Sequence, residues 1–161
     1  MPPITALLHT HNDALRLGRA LETLYPCDEI LIIDHHSSDG TVHIARQYGA
    51  NIIPAEVRDK PSRWMESARY DWVFCLDPRE STTEGLATSL FEWKCLAPED
   101  VIDVMAFSIS VREENVNGWR NLPAPETRLV PRNWHRWQGH LPVNEPAALT
   151  LEGFLLRFDR P

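Results

Sequence analysis

The stretch that decides the fold is Glu29-Ile30-Leu31-Ile32-Ile33-Asp34-His35-His36-Ser37-Ser38-Asp39-Gly40-Thr41. Its four consecutive aliphatic residues predict a buried strand, and the strand ends abruptly at a carboxylate and a group of small polar residues. In open α/β sheets, ligands bind just beyond the carboxyl ends of the parallel strands. The polar residues from Asp34 onward are therefore the first place to look for a functional site.

Composition indicates an ordinary globular domain. The chain has 161 residues, of which 43% are hydrophobic and 24% are charged, and this length suits one domain. Its formal net charge of -7 argues against a nucleic-acid partner, because such binding depends on clustered Lys and Arg. The absence of an 18-residue apolar run and of a signal-peptide pattern predicts a cytoplasmic protein, which is free to associate with a membrane surface.

The cysteines support the same cellular compartment. Cys27, Cys75 and Cys95 are odd in number and far apart, which argues against a disulfide framework and favours a reducing environment. Cys75 lies inside an apolar segment, so we expect it to be a small core residue.

Strands and helices alternate through the first half of the chain. Apolar runs predict strands over residues 4–10, 29–34, 51–55 and 72–76, and helices follow the first three of them. The second of these helices should begin at Ser38 or Asp39 and bury Val42, Ala45 and Tyr48. This alternation predicts an α/β fold with a mostly parallel sheet flanked by helices.

The second half has a different pattern. Ser81-Thr82-Thr83-Glu84 matches a capping box that opens another helix. The segment from Val101 to Val111 predicts a longer strand, for which an edge position in the sheet is one alternative. The segment from Glu152 to Phe158 predicts a last strand.

Three carboxylates fall at predicted strand exits. Asp13, Asp34 and Asp77 are distant in sequence, but parallel strands would bring all three to one edge of the sheet. For Asp13 and for Asp39 the alternative of simple helix capping stays open.

Several sequence pieces occur together in a recognisable order. They are Thr10-His11-Asn12-Asp13, the strand from Asp28 to Asp34 with the Ser37-Ser38-Asp39-Gly40-Thr41 turn, and Ile44-Ala45-Arg46-Gln47-Tyr48-Gly49-Ala50. With these pieces, the first ninety residues resemble the family-2 glycosyltransferases of GT-A fold. The likeness is greatest to enzymes that build bacterial surface polysaccharides and lipopolysaccharide cores. A looser likeness continues through residues 71–77 and 126–132.

The resemblance implies an architecture. We expect one Rossmann-like GT-A domain over residues 1–161, in which residues 1–97 form the nucleotide-binding βα half. Residues 98–161 would form a shortened acceptor-side half.

The resemblance also implies a donor and a set of contacts. The donor would be a nucleotide-diphospho-sugar, most simply of the UDP type, and its sugar would pass with inversion to a saccharide or lipid-linked acceptor. An aspartate at a strand end can accept the imide N–H of uracil. The implied nucleotide-binding residues are Thr10, Asn12, Asp13, Asp34, Asp39, Asp77 and Arg79.

One motif departs from the family pattern. Relatives follow the fourth strand with Asp-x-Asp-Glu, whose carboxylates reach the ribose and a divalent metal, whereas this chain has Asp77-Pro78-Arg79-Glu80. The change removes a hard oxygen ligand of Mn²⁺ or Mg²⁺ and leaves Asp77 and Glu80 as candidate ligands. Either Arg79 neutralises the diphosphate without a metal, or the protein binds a nucleotide sugar without transferring the sugar.

An inverting transfer also needs a base for the acceptor hydroxyl. The candidates are Glu126 and Glu145, and ordinary surface charge is the alternative for both. Near the end of the domain, relatives often carry Val-His-Glu. At that place this chain has Val143-Asn144-Glu145, which contains the second candidate. The nearby segment Trp134-His135-Arg136-Trp137 would either stack on an acceptor sugar or supply a buried aromatic pair.

Two other functions compete with transfer. Asp34-His35-His36, together with the polar residues after the first strand, is compatible with a two-metal phosphoesterase that holds Mn²⁺. A non-catalytic module that uses the same fold for binding is the third class.

Overall fold

The computed structural model describes residues 2–161 as a nine-stranded sheet with a separate two-stranded sheet. The helices are α1 (Ala14–Glu22), α2 (Thr41–Gln47), α3 (Pro61–Ser67), α4 (Glu84–Lys94) and α5 (Pro98–Val101). The first five strands are β1 (Ile4–Thr10), β2 (Glu29–Asp34), β3 (Asn51–Pro54), β4 (Trp72–Cys75) and β5 (Glu80–Thr82). The other six are β6 (Phe107–Asn115), β7 (Gly118–Asn121), β8 (Glu126–Pro131), β9 (Trp137–Gln138), β10 (Leu141–Pro142) and β11 (Leu149–Arg157).

The first half of the chain forms the parallel part of the large sheet. Its strands lie in the order β3-β2-β1-β4, and every neighbouring pair is parallel. The register places Thr10 beside Asp34, so the polar residues after β1 and β2 leave the sheet together. The prediction of an α/β sheet with parallel strands in this half is confirmed.

The second half makes the sheet mixed. Strand β8 pairs antiparallel with β4 and β6, and β11 is parallel to β6 but antiparallel to β5. The predicted strand from Val101 to Val111 is wrong at its start, because Pro98 opens a short helix and the strand begins at Phe107. That strand is also interior to the sheet rather than at its edge. The alternation of apolar residues indicates a strand but does not identify its partners.

Two local predictions in the helices also need correction. The supposed capping box overlaps β5, and Thr83 alone caps α4, its Oγ1 accepting a hydrogen bond from the Leu86 N–H at 3.3 Å. In α2, Tyr48 is 36% exposed, whereas Thr41 and Ala45 are the buried residues. Helix α2 is short and ends at Gln47, so Tyr48 lies past its last turn.

Apolar side chains cover both faces of the sheet. Helices α1 and α4 pack on one face, where β1 contributes Ile4, Ala6 and Leu8. Helix α3 packs on the other face, where β1 contributes Leu7. His9, two residues after Leu7, points to the same face and contacts Trp64 of α3. Cys75 is fully buried in that second core, as predicted. Within residues 2–161, no helix is long and apolar enough to cross a membrane.

Candidate functional site

A cavity of about 400 Å³ lies at the carboxyl ends of β1, β2 and β4. It is lined by His9, Thr10, His11, Asp13, Arg16, His35, Asp77, Pro78, Arg79 and His140. The parallel register of the three strands accounts for this convergence, because segments that are far apart in sequence leave the sheet at the same edge. Asp13 and Asp77 therefore meet in one cavity.

Asp34 organises the loops around the cavity but does not line it. Its Oδ1 accepts hydrogen bonds from the hydroxyls of Thr10 at 2.7 Å and Ser37 at 2.6 Å, and its Oδ2 accepts the Ser37 N–H at 3.0 Å. Burial alone would raise the pKa of Asp34, but the hydrogen bonds from Ser37 and Thr10 outweigh burial and hold the pKa below its ordinary value. A nucleoside contact for this carboxylate stays a prediction.

Asn12 joins the two loops that follow β1 and β2. Its backbone N–H donates to the Ser37 hydroxyl at 2.9 Å, and its side-chain Oδ1 accepts the Ser38 N–H at 2.8 Å. Asn12 has a φ of 51° and His36 has a φ of 57°, so both loops turn sharply through the left-handed region. The amide of Asn12 is thus used for loop structure.

Asp39 holds the start of two helices. Its Oδ2 accepts the Ala14 N–H at 3.2 Å, and its Oδ1 accepts hydrogen bonds from the backbone N–H and the hydroxyl of Thr41. These contacts keep the beginnings of α1 and α2 side by side. Asp39 is therefore a support of the site and lies outside the cavity lining.

Asp13 is a half-buried carboxylate in the cavity wall. Its Oδ2 accepts the His11 N–H at 2.8 Å, and the Nε atom of Arg16 lies 3.7 Å from its Oδ1. Burial raises the pKa of Asp13, with further contributions from the nearby carboxylates of Asp77 and Asp39, despite the opposing effects of His11 and Arg16. A carboxylate in such a position binds hydrogen-bond donors strongly.

Asp77 and Arg79 form an ion pair inside the cavity. The Arg79 Nε donates to Asp77 Oδ1 at 2.9 Å, one terminal nitrogen of Arg79 reaches Oδ2 at 3.3 Å, and the Arg79 N–H also donates to Oδ1 at 2.9 Å. Burial acts to raise the pKa of Asp77, but these hydrogen bonds hold it below its ordinary value. Arg79 thus neutralises the carboxylate of Asp77.

Glu80 is wrong as a candidate metal ligand. Its side chain is 0% exposed, and its two oxygens accept from the two terminal nitrogens of Arg128 at 2.6 and 2.8 Å. The Arg157 Nε lies 3.2 Å from Oε2, and the Asp77 N–H donates to Oε1 at 2.8 Å. Glu80 therefore fixes the Asp77 loop from within the core and is inaccessible to an ion.

The motif consequently does not fit a hard divalent ion. Mg²⁺ and Mn²⁺ need several free oxygen ligands, but Asp77 is paired with Arg79 and Glu80 is sealed between two arginines. No step of a mechanism can be assigned to an ion held by these two carboxylates.

Neither predicted base lines the cavity. The Glu126 carboxylate is bound by Arg128 at 3.1 Å and by Arg157 at 3.0 Å, in the ion-pair network that surrounds Glu80. Glu145 has a buried side chain that pairs with Arg136 and accepts the Ala147 N–H at 3.0 Å. Both side chains are therefore engaged in structural contacts away from the cavity, and the role of either glutamate as a base stays a prediction.

The predicted aromatic segment borders a different groove. Trp134 is 8% exposed, and its indole N–H donates to the Arg136 carbonyl at 2.7 Å. Trp137 is half-buried, and both rings line a groove of about 780 Å³ beside α3. The segment is therefore largely packed, with its remaining surface turned to this groove.

The histidines of the cavity were largely missed by sequence reasoning. His9, His35 and His140 come together, with rings of His9 and His140 stacked at 3.8 Å between centroids and His9 Nδ1 at 2.9 Å from His35 Nε2. His140 lies in the turn between β9 and β10, so no local spacing connects it with the other two. The proposed Asp34-His35-His36 metal triplet is not assembled, because Asp34 is held by hydroxyls and His36 is exposed outside the cavity.

These features define a class of protein. A parallel βα half with a cavity at its strand ends, continued by antiparallel strands, is the GT-A fold of nucleotide-sugar transferases. The glucosyl-3-phosphoglycerate synthase of Mycobacterium tuberculosis, solved with Mn²⁺, UDP and glucosyl-3-phosphoglycerate, has 17% identity and a TM-score of 0.54 over 69% of this chain and 44% of its own. Staphylococcus aureus TarS (residues 1–349), solved with UDP-GlcNAc, has 13% identity and a TM-score of 0.70, covering 99% of this chain and 59% of its own.

Sequence comparison agrees with the fold. The lipopolysaccharide core biosynthesis glycosyltransferase LpsC of Rhizobium meliloti is 28% identical over 160 residues, covering 89% of this chain and 56% of its own. An uncharacterized glycosyltransferase of Rickettsia prowazekii is 37% identical over 90 residues, covering 53% of this chain and 31% of its own. No family model matches the chain. The resemblance to GT-A glycosyltransferases is confirmed, and the chain spans about half or less of the length of these two relatives.

Proposed function

We propose that the cavity holds a nucleotide-diphospho-sugar of the UDP type, as the donor site of a glycosyltransferase that acts on a saccharide or lipid-linked acceptor. The observation that carries the proposal is the cavity itself, which combines two arginines and two carboxylates at the carboxyl ends of the GT-A strands. The names of the relatives support a role in surface polysaccharide synthesis, and both structural neighbours above were solved with a uridine nucleotide. The unpaired cysteines and the net charge of -7 favour a cytoplasmic site of action without nucleic acid.

The arginines are the groups suited to the diphosphate. Arg16 and Arg79 both line the cavity, and guanidinium groups bind phosphate through paired hydrogen bonds. Each is already close to a carboxylate, Arg16 to Asp13 and Arg79 to Asp77. Donor binding therefore exchanges partners, and the carboxylate that Arg79 releases becomes free to accept a ribose hydroxyl.

In a sugar transfer at this site, the acceptor oxygen would attack the anomeric carbon of the donor. The bond from that carbon to the diphosphate would break, and its electron pair would leave with the nucleoside diphosphate. The two arginines are placed to stabilise the charge that develops on the departing phosphate. The acceptor proton needs a base, and neither Glu126 nor Glu145 reaches the cavity.

That last observation favours a second candidate function, in which the chain binds a nucleotide sugar without transferring it. The Asp77–Arg79 pair supports the same candidate, because it occupies the place where relatives carry a metal-binding carboxylate pair. Release of free UDP from a UDP-sugar distinguishes the two functions, since only an active transferase or hydrolase releases it.

The direct test is calorimetric titration with UDP and UDP-sugars in metal-free buffer. We expect binding by the native chain and a loss of about 10-fold or more in affinity for Arg79→Ala, because hydrogen bonds to charged groups contribute roughly 1.5–3 kcal/mol. Arg120→Ala is the matched control, since Arg120 is exposed on β7, away from the cavity, and pairs with Glu113. Failure of any nucleotide to bind folded protein at millimolar concentration would contradict the proposal.

A further inference from the structure

Three imidazoles from separate parts of the chain converge on one point of the cavity wall. His9 comes from the end of β1, His35 follows β2, and His140 lies in the β9–β10 turn. One ring nitrogen from each residue lies within 4.8 Å of the corresponding nitrogens of the other two. We call these three residues the histidine cluster.

The inner member of the cluster has an unfilled hydrogen-bonding position. His9 is 7% exposed, and its Nε2 is buried without a hydrogen-bond partner within residues 2–161. The rest of its ring packs nearly at right angles to the ring of Trp64, at 4.1 Å between centroids, and stacks on the ring of His140. The contact with His35 is made by the other ring nitrogen, Nδ1, so Nδ1 is the atom of His9 that faces the cluster.

The spacing suits a small tetrahedral ion. With Zn–N bonds of about 2.0–2.1 Å, two imidazole nitrogens on one tetrahedral zinc lie roughly 3.3 Å apart. His9 Nδ1 and His35 Nε2 are 2.9 Å apart, so a modest opening of this pair accommodates an ion. The His140 ring is stacked on the His9 ring with 11° between their planes, and imidazole binds a metal in the plane of its ring. His140 therefore has to turn out of this stack to complete the set, and its exposed position leaves room for that turn.

We propose that His9, His35 and His140 bind one divalent transition-metal ion, with Zn²⁺ preferred over Mg²⁺. Imidazole ligands favour zinc and its neighbours, whereas Mg²⁺ prefers oxygen. Three protein ligands leave a fourth position open, and the cavity that the cluster lines also contains Asp77 and Arg79. A phosphate oxygen of the donor could take that position. This extension rests on the proposed function, whereas the metal site itself is independent of it.

The experiment is titration of metal-stripped protein with Co²⁺ and Zn²⁺ in the absence of nucleotide. We expect one equivalent of Co²⁺ to bind with the intense visible absorption of four-coordinate cobalt, and Zn²⁺ to displace it. His140→Ala and His35→Ala should each weaken binding by about 100-fold or more, because even loss of a supporting residue costs 10–100-fold. Circular dichroism establishes that each variant is folded, and His140 is exposed enough to be replaced without disturbing the core.

Two histidines serve as matched controls. His43→Ala removes an exposed imidazole on α2, and His36→Asn changes the direct neighbour of His35 while keeping a residue that tolerates its φ of 57°. Both variants should bind Co²⁺ like the native chain. Absence of binding at millimolar metal, equal binding by His140→Ala, or loss of binding in His36→Asn would overturn the proposal. Because no nucleotide is present, these outcomes are independent of whether the donor proposal holds.

Discussion

The two sides of the cavity differ in whether their polar groups are satisfied. On the carboxylate side, Asp77 is paired with Arg79, and Glu80 is enclosed by Arg128 and Arg157. On the histidine side, three imidazole rings share one hydrogen bond, and the innermost ring has a nitrogen without a partner within residues 2–161. Asp77 and Glu80 are thus engaged by arginines, whereas the histidine cluster keeps ring nitrogens that can take a ligand.

This difference shows how one side chain changes the chemistry of its neighbour. Arg79 neutralises Asp77, which would otherwise be a free carboxylate in the cavity. The neighbouring glutamate then has only a structural role, holding the Asp77 backbone at 2.8 Å.

The largest expected effect comes from breaking the buried ion pair under the carboxylate side. Arg128→Met leaves Glu80 charged, buried and short of its bidentate partner, which typically costs about 3–5 kcal/mol in the free energy of unfolding. Urea denaturation measures this loss. Glu99→Ala, at an exposed position of α5, is the control, and a loss under about 1 kcal/mol for Arg128→Met would show that the pair is not structural.

The second prediction concerns the charge at position 79 on the carboxylate side. Arg79→Asp removes the ion pair and adds a second free carboxylate, so we expect Mg²⁺ affinity to rise by about 10-fold or more, as measured by calorimetry. Arg79→Ala frees Asp77 without adding a ligand and separates the two contributions. If both variants bind Mg²⁺ no better than the native chain, Arg79 does not account for the missing metal site.

A smaller effect is expected at the loops that carry both sides. Asp34→Asn weakens three charge-assisted hydrogen bonds and should lower the free energy of unfolding by about 1–3 kcal/mol at pH 7. The pKa of Asp34 is depressed below its ordinary value of 3.8 in the folded chain, where the bonds from Ser37 and Thr10 outweigh burial. Its contribution is therefore present above that pH and is lost as the pH falls through the folded-state pKa.

Denaturation at pH 7 and at a series of pH values below the ordinary aspartate pKa of about 3.9 checks this dependence. The difference between the native chain and Asp34→Asn should shrink at the lower pH. Asp103→Asn, at an exposed aspartate, should show little difference at either pH. A difference that stays constant with pH would mean that the charge of Asp34 is not what stabilises the loops.

The smallest effect is expected at His36, which is next to the histidine cluster but outside it. His36→Gly should change the free energy of unfolding by no more than about 1 kcal/mol, because glycine adopts the φ of 57° without strain. A thermal melt compared with that of His43→Ala measures the effect. A loss of several kcal/mol would indicate that the His36 ring has a structural contact in solution.

The sequence was sufficient to predict the half of the fold that depends on local patterns. The bounds of β1 and β2 follow from continuous apolar runs, and their parallel pairing places Thr10 beside Asp34. The convergence of Asp13 and Asp77 in one cavity follows from the same pattern. Once the strands are known to be parallel, their carboxyl ends must lie at the same edge of the sheet.

The rest depends on contacts between distant segments. Nothing near Glu80 in the sequence indicates that Arg128 encloses it, and nothing near His9 indicates that His140 stacks on its ring. The role of Asp34 as a nucleoside ligand stays a prediction, and nothing in its local sequence indicates that the hydroxyls of Thr10 and Ser37 both bind its Oδ1. Such pairings are set by packing, which composition and periodicity do not describe.

The most direct measurement is a zinc titration of metal-stripped protein in three forms, namely the native chain, His140→Ala and Asp77→Asn. We predict that the native chain and Asp77→Asn each bind one equivalent of Zn²⁺, whereas His140→Ala binds about 100-fold more weakly or not at all. Loss of binding in Asp77→Asn with full binding in His140→Ala would contradict the assignment of the metal to the histidine side.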